Sequence, residues 1–279
     1  MKRFSRTAIL LLSLVALGMV LPALAQGKQE KGEGELDPAQ PKGITPEEII
    51  QRFAAKEKEF KAAREQYTYR QEVKVQTPED GGEYHQIFDV TFDDRGRKIK
   101  NVVFAPQSSL VRIGMTQEDI DDIENRLPFV LTSDEINEYS ILYVGQQQQD
   151  ELHCYVFDIA PKTIEKGKRY FQGRIWVDDH DFQIVKTSGK TVPDIRKKNN
   201  ENLFPTFTTY REQIDGKYWF PTYTRADDTL KFSTGDVQIR EIVKYTNYKR
   251  FGSNVKITYE GQELPTTPKD KDQKQDKPQ

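Results

Sequence analysis

The chain has few of the residues on which disulfides, metal sites and reactive thiols depend. Its 279 residues include one cysteine, Cys154, and three histidines, His85, His153 and His180. A single cysteine cannot form an intramolecular disulfide, so the stability of the fold must come from a packed core. The histidines are isolated in the sequence and lack the spacing of metal ligands.

Signatures of common catalytic sites are also missing from the sequence. There is no Gly-x-Ser-x-Gly, P-loop, zinc-protease or Rossmann motif. Cys154 lies within a strand pattern, where a cysteine usually packs rather than reacts. The turn at residues 178–181, Asp-Asp-His-Asp, could hold a cation, but solvated acids at a hairpin turn are the plainer interpretation. We therefore expect no enzyme activity, no metal site and no cofactor.

Positive charge is not in excess. Lysine and arginine number 42 against 44 aspartate and glutamate, which gives a formal net charge of −2. Loss of the first 25 residues would make it −5, because Lys2, Arg3 and Arg6 would go with them. This balance argues against nucleic acid and against an anionic membrane surface as partners.

The N-terminus has the pattern of a secretory signal peptide. Its first six residues carry three positive charges, an apolar run follows from about Ala8 to Val20, and Ala23-Leu24-Ala25 supplies small residues at a cleavage site. A membrane anchor is the alternative, but the apolar run is short for a span. We expect a signal peptide at residues 1–25, cleaved after Ala25.

Two polar stretches flank the remaining chain. Residues 26–43 and 263–279 are rich in Gly, Glu, Lys, Gln, Asp and Pro and contain almost nothing apolar. Such segments bury too little surface to offset the entropy cost of ordering. We expect a disordered leader and a disordered tail around one domain at residues 44–262.

Helical signals occur in two places. Thr45, Pro46 and Glu48 form a capping box with proline at the first helical position, and apolar residues recur at helical spacing to about Gln66. This helix would lay an apolar stripe on a sheet, either as core packing or as a lid over a cavity. A second region, about Thr116 to Tyr139, predicts two short helices that either cover the sheet or simply connect strands.

Most of the rest alternates apolar and polar residues with a period of two, which predicts about ten or eleven antiparallel strands. The central feature is a hairpin at residues 169–190, with Ile175 and Val177 on one strand face and a second strand over residues 182–187. Residues 191–202 are polar and predict a loop. Asp215-Gly216 predicts another hairpin turn, and Pro221 predicts an edge or a bulge.

The central hairpin resembles that of the LolA/LolB/RseB-like superfamily. The segment YFQGRIWVD at residues 170–178, followed by FQIVK at residues 182–186, is similar to that family's Gly-x-Ile/Val-Trp-Val-Asp strand and the following strand ending in Ile/Val-Val-Arg/Lys. The wider organisation is similar over residues 44–257. The resemblance implies a mainly β fold, an unclosed antiparallel β-barrel or half-barrel, with the N-terminal helix and the helical insertion covering its concave face.

Members of this superfamily carry or sense lipidated polypeptides or other lipids in a hydrophobic periplasmic cavity. The 28 tyrosine and phenylalanine residues of this chain suit such a cavity, although they could equally fill a core. The candidate lining residues lie on alternating strand positions: Tyr69, Val73, Phe88, Val90, Tyr155, Phe157, Ile175, Val177 and Ile239.

The resemblance therefore implies a monomeric periplasmic protein that binds a lipid or the acyl chain of a lipoprotein. It would act as a carrier in outer-membrane lipoprotein sorting or in envelope lipid handling, with inner- or outer-membrane proteins as further partners. The alternative is an RseB-like envelope sensor or protein-interaction module without a transport role.

Overall fold

The computed structural model describes residues 32–93, 95–126, 128–197 and 200–251. The expected signal peptide, the first residues of the leader at 26–31 and the tail at 263–279 lie outside the described residues. Within the described ranges, no helix is both long and apolar enough to cross a membrane.

The secondary structure is dominated by strands. The elements in chain order are α1 (Pro46–Arg64), β1 (Tyr67–Thr77), β2 (Gly82–Phe92), β3 (Lys98–Phe104), α2 (Gln117–Asn125), a 3₁₀ turn (Ile136–Glu138), β4 (Tyr139–Gln149), β5 (Leu152–Pro161), β6 (Tyr170–Asp178), β7 (Ile184–Val192), β8 (Ile195–Lys197), β9 (Asn200–Asn202), β10 (Phe207–Ile214), β11 (Tyr218–Phe232) and β12 (Gly235–Arg250).

Ten of these strands form one antiparallel sheet in the order β3-β2-β1-β12-β11-β10-β7-β6-β5-β4. The remaining two, β8 and β9, form a separate ribbon. Because β3 and β4 end the sheet and are not paired with each other, the sheet is open. This confirms the prediction of a mainly β, unclosed antiparallel architecture with an N-terminal helix.

Helix α1 begins where the capping box predicted. The Thr45 hydroxyl accepts a hydrogen bond from the Glu48 backbone N–H at 3.2 Å, and the Glu48 carboxylate accepts one from the Thr45 N–H at 2.9 Å. The helix ends at Arg64, slightly earlier than predicted. Its buried apolar residues form one stripe: Ile49, Phe53, Ala54 and Phe60. The ring of Phe53 lies 5.7 Å from that of Phe157 on β5, so this stripe packs directly on the sheet.

The helical insertion is smaller than predicted. Helix α2 has its own capping box at Thr116 and Asp119 and buries Ile123 in the main core cluster. The second predicted helix is only the 3₁₀ turn, and Tyr139 already belongs to β4. The insertion therefore covers part of the sheet, mainly through α2.

Strand β7 runs further than the residues 182–187 predicted for it, since it continues to Val192. Strand β4 includes the glutamine run at residues 146–149, and β11 is uninterrupted to Phe232. The expected loop at residues 191–202 contains the β8–β9 ribbon. Neighbouring strands supply backbone hydrogen-bond partners regardless of side-chain polarity. Polar residues can therefore belong to the sheet.

Pro221 marks a bulge, as predicted. Tyr210 pairs with Tyr223 and Arg211 pairs with Pro221, so Thr222 is the extra residue on β11. A proline has no N–H to donate, and a bulge tolerates this loss inside a sheet.

Part of the expected disordered leader is instead paired with the sheet. The Gly34 N–H donates to the Gln148 carbonyl at 2.9 Å, and the Asp37 N–H donates to the Gln146 carbonyl at 2.8 Å. Leu36 packs beside the buried cluster around Trp176. Backbone hydrogen bonds along the β4 edge require no apolar side chain, so composition alone could not reveal this pairing.

A buried ion pair joins α1 to β10. The Arg211 guanidinium donates to both carboxylate oxygens of Glu57, at 2.8 and 3.2 Å, and both side chains are 1% exposed. Arg211 also donates to the carbonyls of Phe129 and Ile184. The pair therefore fixes α1 and the segment before β4 against the sheet.

We expect Arg211→Met to destabilise the protein by about 3–5 kcal/mol, because it leaves the Glu57 carboxylate buried without its cation. The double variant Glu57→Leu/Arg211→Met should recover most of that loss, since no unpaired charge remains. Urea unfolding followed by circular dichroism measures both values. A double variant as unstable as the single one would contradict this account.

Candidate ligand-binding cavity

A large cavity lies under α2. It has a volume of about 820 Å³ and is bounded by α2, residues 112–116, the segment after β9, and strands β10 to β12. Apolar side chains make up much of its wall, among them Val75, Ile123, Phe204, Phe207, Leu230 and Ile239. The space exists because α2 is short and contributes little apolar bulk above this part of the sheet.

The nine residues predicted to line a cavity do not meet at this one. Ile239 lines it, while Val73 and Phe88 line a smaller cavity of about 230 Å³ on the other side of Ile123. The other six line neither of these two cavities. Tyr155, Phe157, Ile175 and Val177 lie in the main core cluster, and Tyr69 packs against it. Val90 is fully buried on β2. Their role in ligand binding stays a prediction.

Phe157 shows how this part of the core is filled. Its ring lies 5.7 Å from that of Phe53 on α1 and 5.4 Å from that of Tyr143 on β4. Tyr69 is half-buried and packs against Tyr245 and Tyr248, with ring centroids 6.1 and 5.2 Å away. Aromatic contacts therefore occupy the space beneath α1, and α1 acts as core packing rather than as a lid over open space.

A carboxyl group lies on the wall of the large cavity where an apolar residue would be expected. Glu241 is on the inward face of β12, in line with Ile239 and Val243, and is 6% exposed. Its Oε1 atom has no hydrogen-bond partner among the described residues. Burial, together with repulsion from Asp119 and Asp122, raises the pKa of Glu241 to about 8.

The two aspartates come from α2. Asp119 is held by the capping box, where the backbone N–H and the hydroxyl of Thr116 both donate to Oδ2 at 2.8 Å. Asp122 lies one helical turn further on, with Oδ1 3.4 Å from Nη2 of Arg169. Burial raises the pKa of Asp122 to about 6 and also raises that of Asp119. Of the three acids, Glu241 is the one without such a partner.

The rim of the cavity is held by polar contacts between segments. Arg112 donates from Nη1 to Glu79 at 2.8 Å and from Nη2 to the carbonyl of Asp236 at 2.6 Å. Glu201 accepts from the Ser233 N–H at 2.8 Å. These contacts tie the segment before α2 and the β8–β9 ribbon to the β11–β12 turn.

Sequence reasoning missed Glu241, although a signal was present. The positions that share its strand face carry Val237, Ile239, Val243 and Tyr245, so one glutamate interrupts an otherwise apolar face. A charged residue in such a series costs free energy when buried, which makes it informative. The location of the cavity itself had no sequence signal.

The remaining candidate sites have structural roles. Cys154 is buried, and burial raises the pKa of its thiol, which disfavours the nucleophilic thiolate. The acidic turn is hydrogen-bonded rather than simply solvated: Asp178 accepts from the Asp181 N–H at 2.9 Å, and Asp181 accepts from the Trp219 ring N–H at 2.9 Å. Across the described part of the chain, no three His, Cys, Asp or Glu side chains are grouped to hold a metal ion.

No family model matches the chain, and no curated protein matches it. Similar solved structures include a LolA superfamily protein from Nitrosomonas europaea, 14% identical, with 72% of this chain and 95% of that chain covered at a TM-score of 0.33. A putative outer membrane lipoprotein-sorting protein domain from Vibrio parahaemolyticus is 11% identical, with 72% and 93% covered at a TM-score of 0.38.

A third similar structure is a chain of the MucA/MucB complex of Pseudomonas aeruginosa. It is 8% identical, with 74% of this chain and 98% of that chain covered at a TM-score of 0.22. Proteins of the superfamily that the central hairpin resembles are thus among the solved structures similar to this chain.

We expect Glu241→Gln to change how stability depends on pH. The carboxyl has an ordinary pKa of 4.5 and a folded-state pKa of about 8, so the folded chain holds a proton that the unfolded chain releases between these values. Wild-type stability should therefore fall as pH rises through this window, and a glutamine should not show that loss. The gain of the variant should be small near pH 4.5 and on the order of 4–5 kcal/mol at pH 8.5.

Urea unfolding at pH 4.5, 6.5 and 8.5 measures this difference. Glu212→Gln is the matched control, because Glu212 is exposed on β10 and outside the cavity. Parallel pH profiles for wild type and Glu241→Gln would show that the buried carboxyl is not responsible.

Proposed function

We propose that the protein binds the acyl chain of a lipid or lipoprotein in the cavity under α2. The observation that carries this proposal is the apolar wall of a cavity of about 820 Å³, within the range of about 300–1,000 Å³ for small-molecule sites. Each methylene buried there would contribute ~0.8 kcal/mol. The binding free energy of an acyl chain would thus grow with each methylene that it buries.

Of the two helical regions expected to cover the concave face, it is α2 that lies over this site. Phe53 and Phe157 leave no room under α1, whereas the wall formed by Phe207, Leu230 and Ile239 faces open space. Loading and release would pass the rim, where Arg112 and Glu201 connect its segments. We propose that these polar contacts break when the ligand enters or leaves the cavity.

We further propose that the protein acts in the periplasm as a carrier in lipoprotein sorting or envelope lipid handling. The support for export is the sequence pattern of residues 1–25 described above. The support for a carrier is the apolar cavity. We also propose that the chain acts without catalysis, for which the support is the buried, high-pKa thiol of Cys154 and the structural role of the acidic turn.

We expect Leu230→Trp to weaken lipid binding at least tenfold by occupying part of the cavity. Leu230 is buried and lines the wall, so an indole there would occupy the space of the acyl chain. Displacing only two methylenes should weaken binding about tenfold. Native mass spectrometry with lipid extraction, on protein purified from a membrane-containing host, measures the bound fraction.

Thr229→Trp is the matched control. Thr229 is exposed on the opposite face of β11, so the same ring is added outside the cavity. We expect this variant to retain lipid as the wild type does. A wild-type protein that stays free of ligand after incubation with lipid would overturn the proposal and favour the protein-interaction function instead. The open edge strand β3, where Val102 is 64% exposed, offers apolar surface for that alternative.

A further inference from the structure

The large cavity is acidic as well as apolar. Its charged lining consists of four acids, Asp119, Asp122, Glu201 and Glu241, and one base, Arg112. Arg112 and Glu201 are engaged in the rim contacts described above. The interior therefore presents carboxyl groups to any ligand that enters.

Glu241 distinguishes this cavity from an ordinary acidic surface. Its side chain is more than nine-tenths buried, and Oε1 lacks a hydrogen-bond partner among the described residues. A buried polar atom without a partner is costly, and native structures usually provide one. A ligand that donates a hydrogen bond to this carboxyl would supply it.

Several ligand classes fit the site poorly. An anionic head group such as a carboxylate or phosphate would meet repulsion from Glu241, the acid on this wall that lacks a partner. A metal ion lacks a ligand set, since no grouping of three suitable side chains occurs in the described ranges. An organic cation both neutralises Glu241 and donates hydrogen bonds to it.

We propose that the ligand is a single-chain lipid whose polar end carries an ammonium group, and that this group binds Glu241 between Asp119 and Asp122. This inference rests on the proposed acyl-chain function and names the head group of the same ligand. The ammonium donates to the Glu241 carboxylate, and the apolar chain lies along the wall formed by Phe207, Leu230 and Ile239.

The strand geometry also gives the ligand an orientation. Residues on one face of β12 recur every second position, about 6.6 Å apart. From Glu241 the inward face passes Ile239 and Val237 before it reaches the β11–β12 turn at Ser233 and Thr234, which line the rim. The ammonium therefore lies deepest, and the chain extends from it towards the rim.

Three probes with the same ten-carbon chain test the head group: decylammonium, 1-decanol and decanoate. Isothermal titration at pH 8 on the full chain, with each probe below its micelle concentration, measures their affinities. The amine stays protonated at this pH, as a lysine side chain does. We expect decylammonium to bind about tenfold tighter than decanol, with decanoate the weakest.

Two matched variants separate the cavity from the surface. In Glu241→Gln the ratio of decylammonium to decanol affinity should fall to near one, because the buried carboxylate is gone. In Glu212→Gln, which removes the same charge from an exposed position on β10, the ratio should stay at the wild-type value.

Failure of this inference and failure of the proposed function give different results. If decanol binds and decylammonium gains nothing, the head-group inference is overturned while acyl-chain binding stands. If the preference persists in Glu241→Gln, the ammonium binds elsewhere and the inference is overturned as well. If none of the probes binds, the proposed acyl-chain function is overturned too.

Discussion

The pairing of β1 with β12 brings the first and last described strands together and sets the register of the sheet. In that register Val75 lies opposite Glu241, and β11 closes on the other side with Ala226 opposite the same residue. β12 is therefore an interior strand of the sheet, paired along both of its edges. A shift of one residue would turn Glu241 outward and every apolar neighbour with it, so the acidic wall of the cavity depends on this register.

The two helices cover the sheet unequally, and the cavity follows from that difference. Helix α1 has 19 residues and brings several aromatic and aliphatic side chains against the sheet, as well as Glu57, which Arg211 neutralises. Helix α2 has nine residues and buries Ile123 together with Asp122. Apolar bulk thus fills the first region, whereas the second stays open and contains carboxyl groups.

The two buried glutamates, Glu57 and Glu241, have different roles because their surroundings differ. Glu57 receives two hydrogen bonds from a guanidinium and is part of the scaffold. Glu241 is buried on the wall of a cavity that Asp119 and Asp122 also line, and its charge has no counterpart. Burial, and then repulsion from these aspartates, raises its pKa. A buried charge with a fixed partner contributes to a defined geometry, while one without a partner lowers stability and is more often retained for binding.

The local features of this protein follow from short-range sequence patterns. The capping boxes at Thr45 and Thr116, the alternating strands and the bulge at Pro221 depend on contacts within a few residues, or on the missing N–H of proline. Periodicity could also place Phe157 and Ile239 on inward faces. It could not say that Phe157 meets an aromatic ring and Ile239 meets open space, because that depends on which distant element covers each face. The pairing of residues 33–37 with β4 and the burial of Glu241 were likewise decided by tertiary structure alone, since both result from partners far away in the chain.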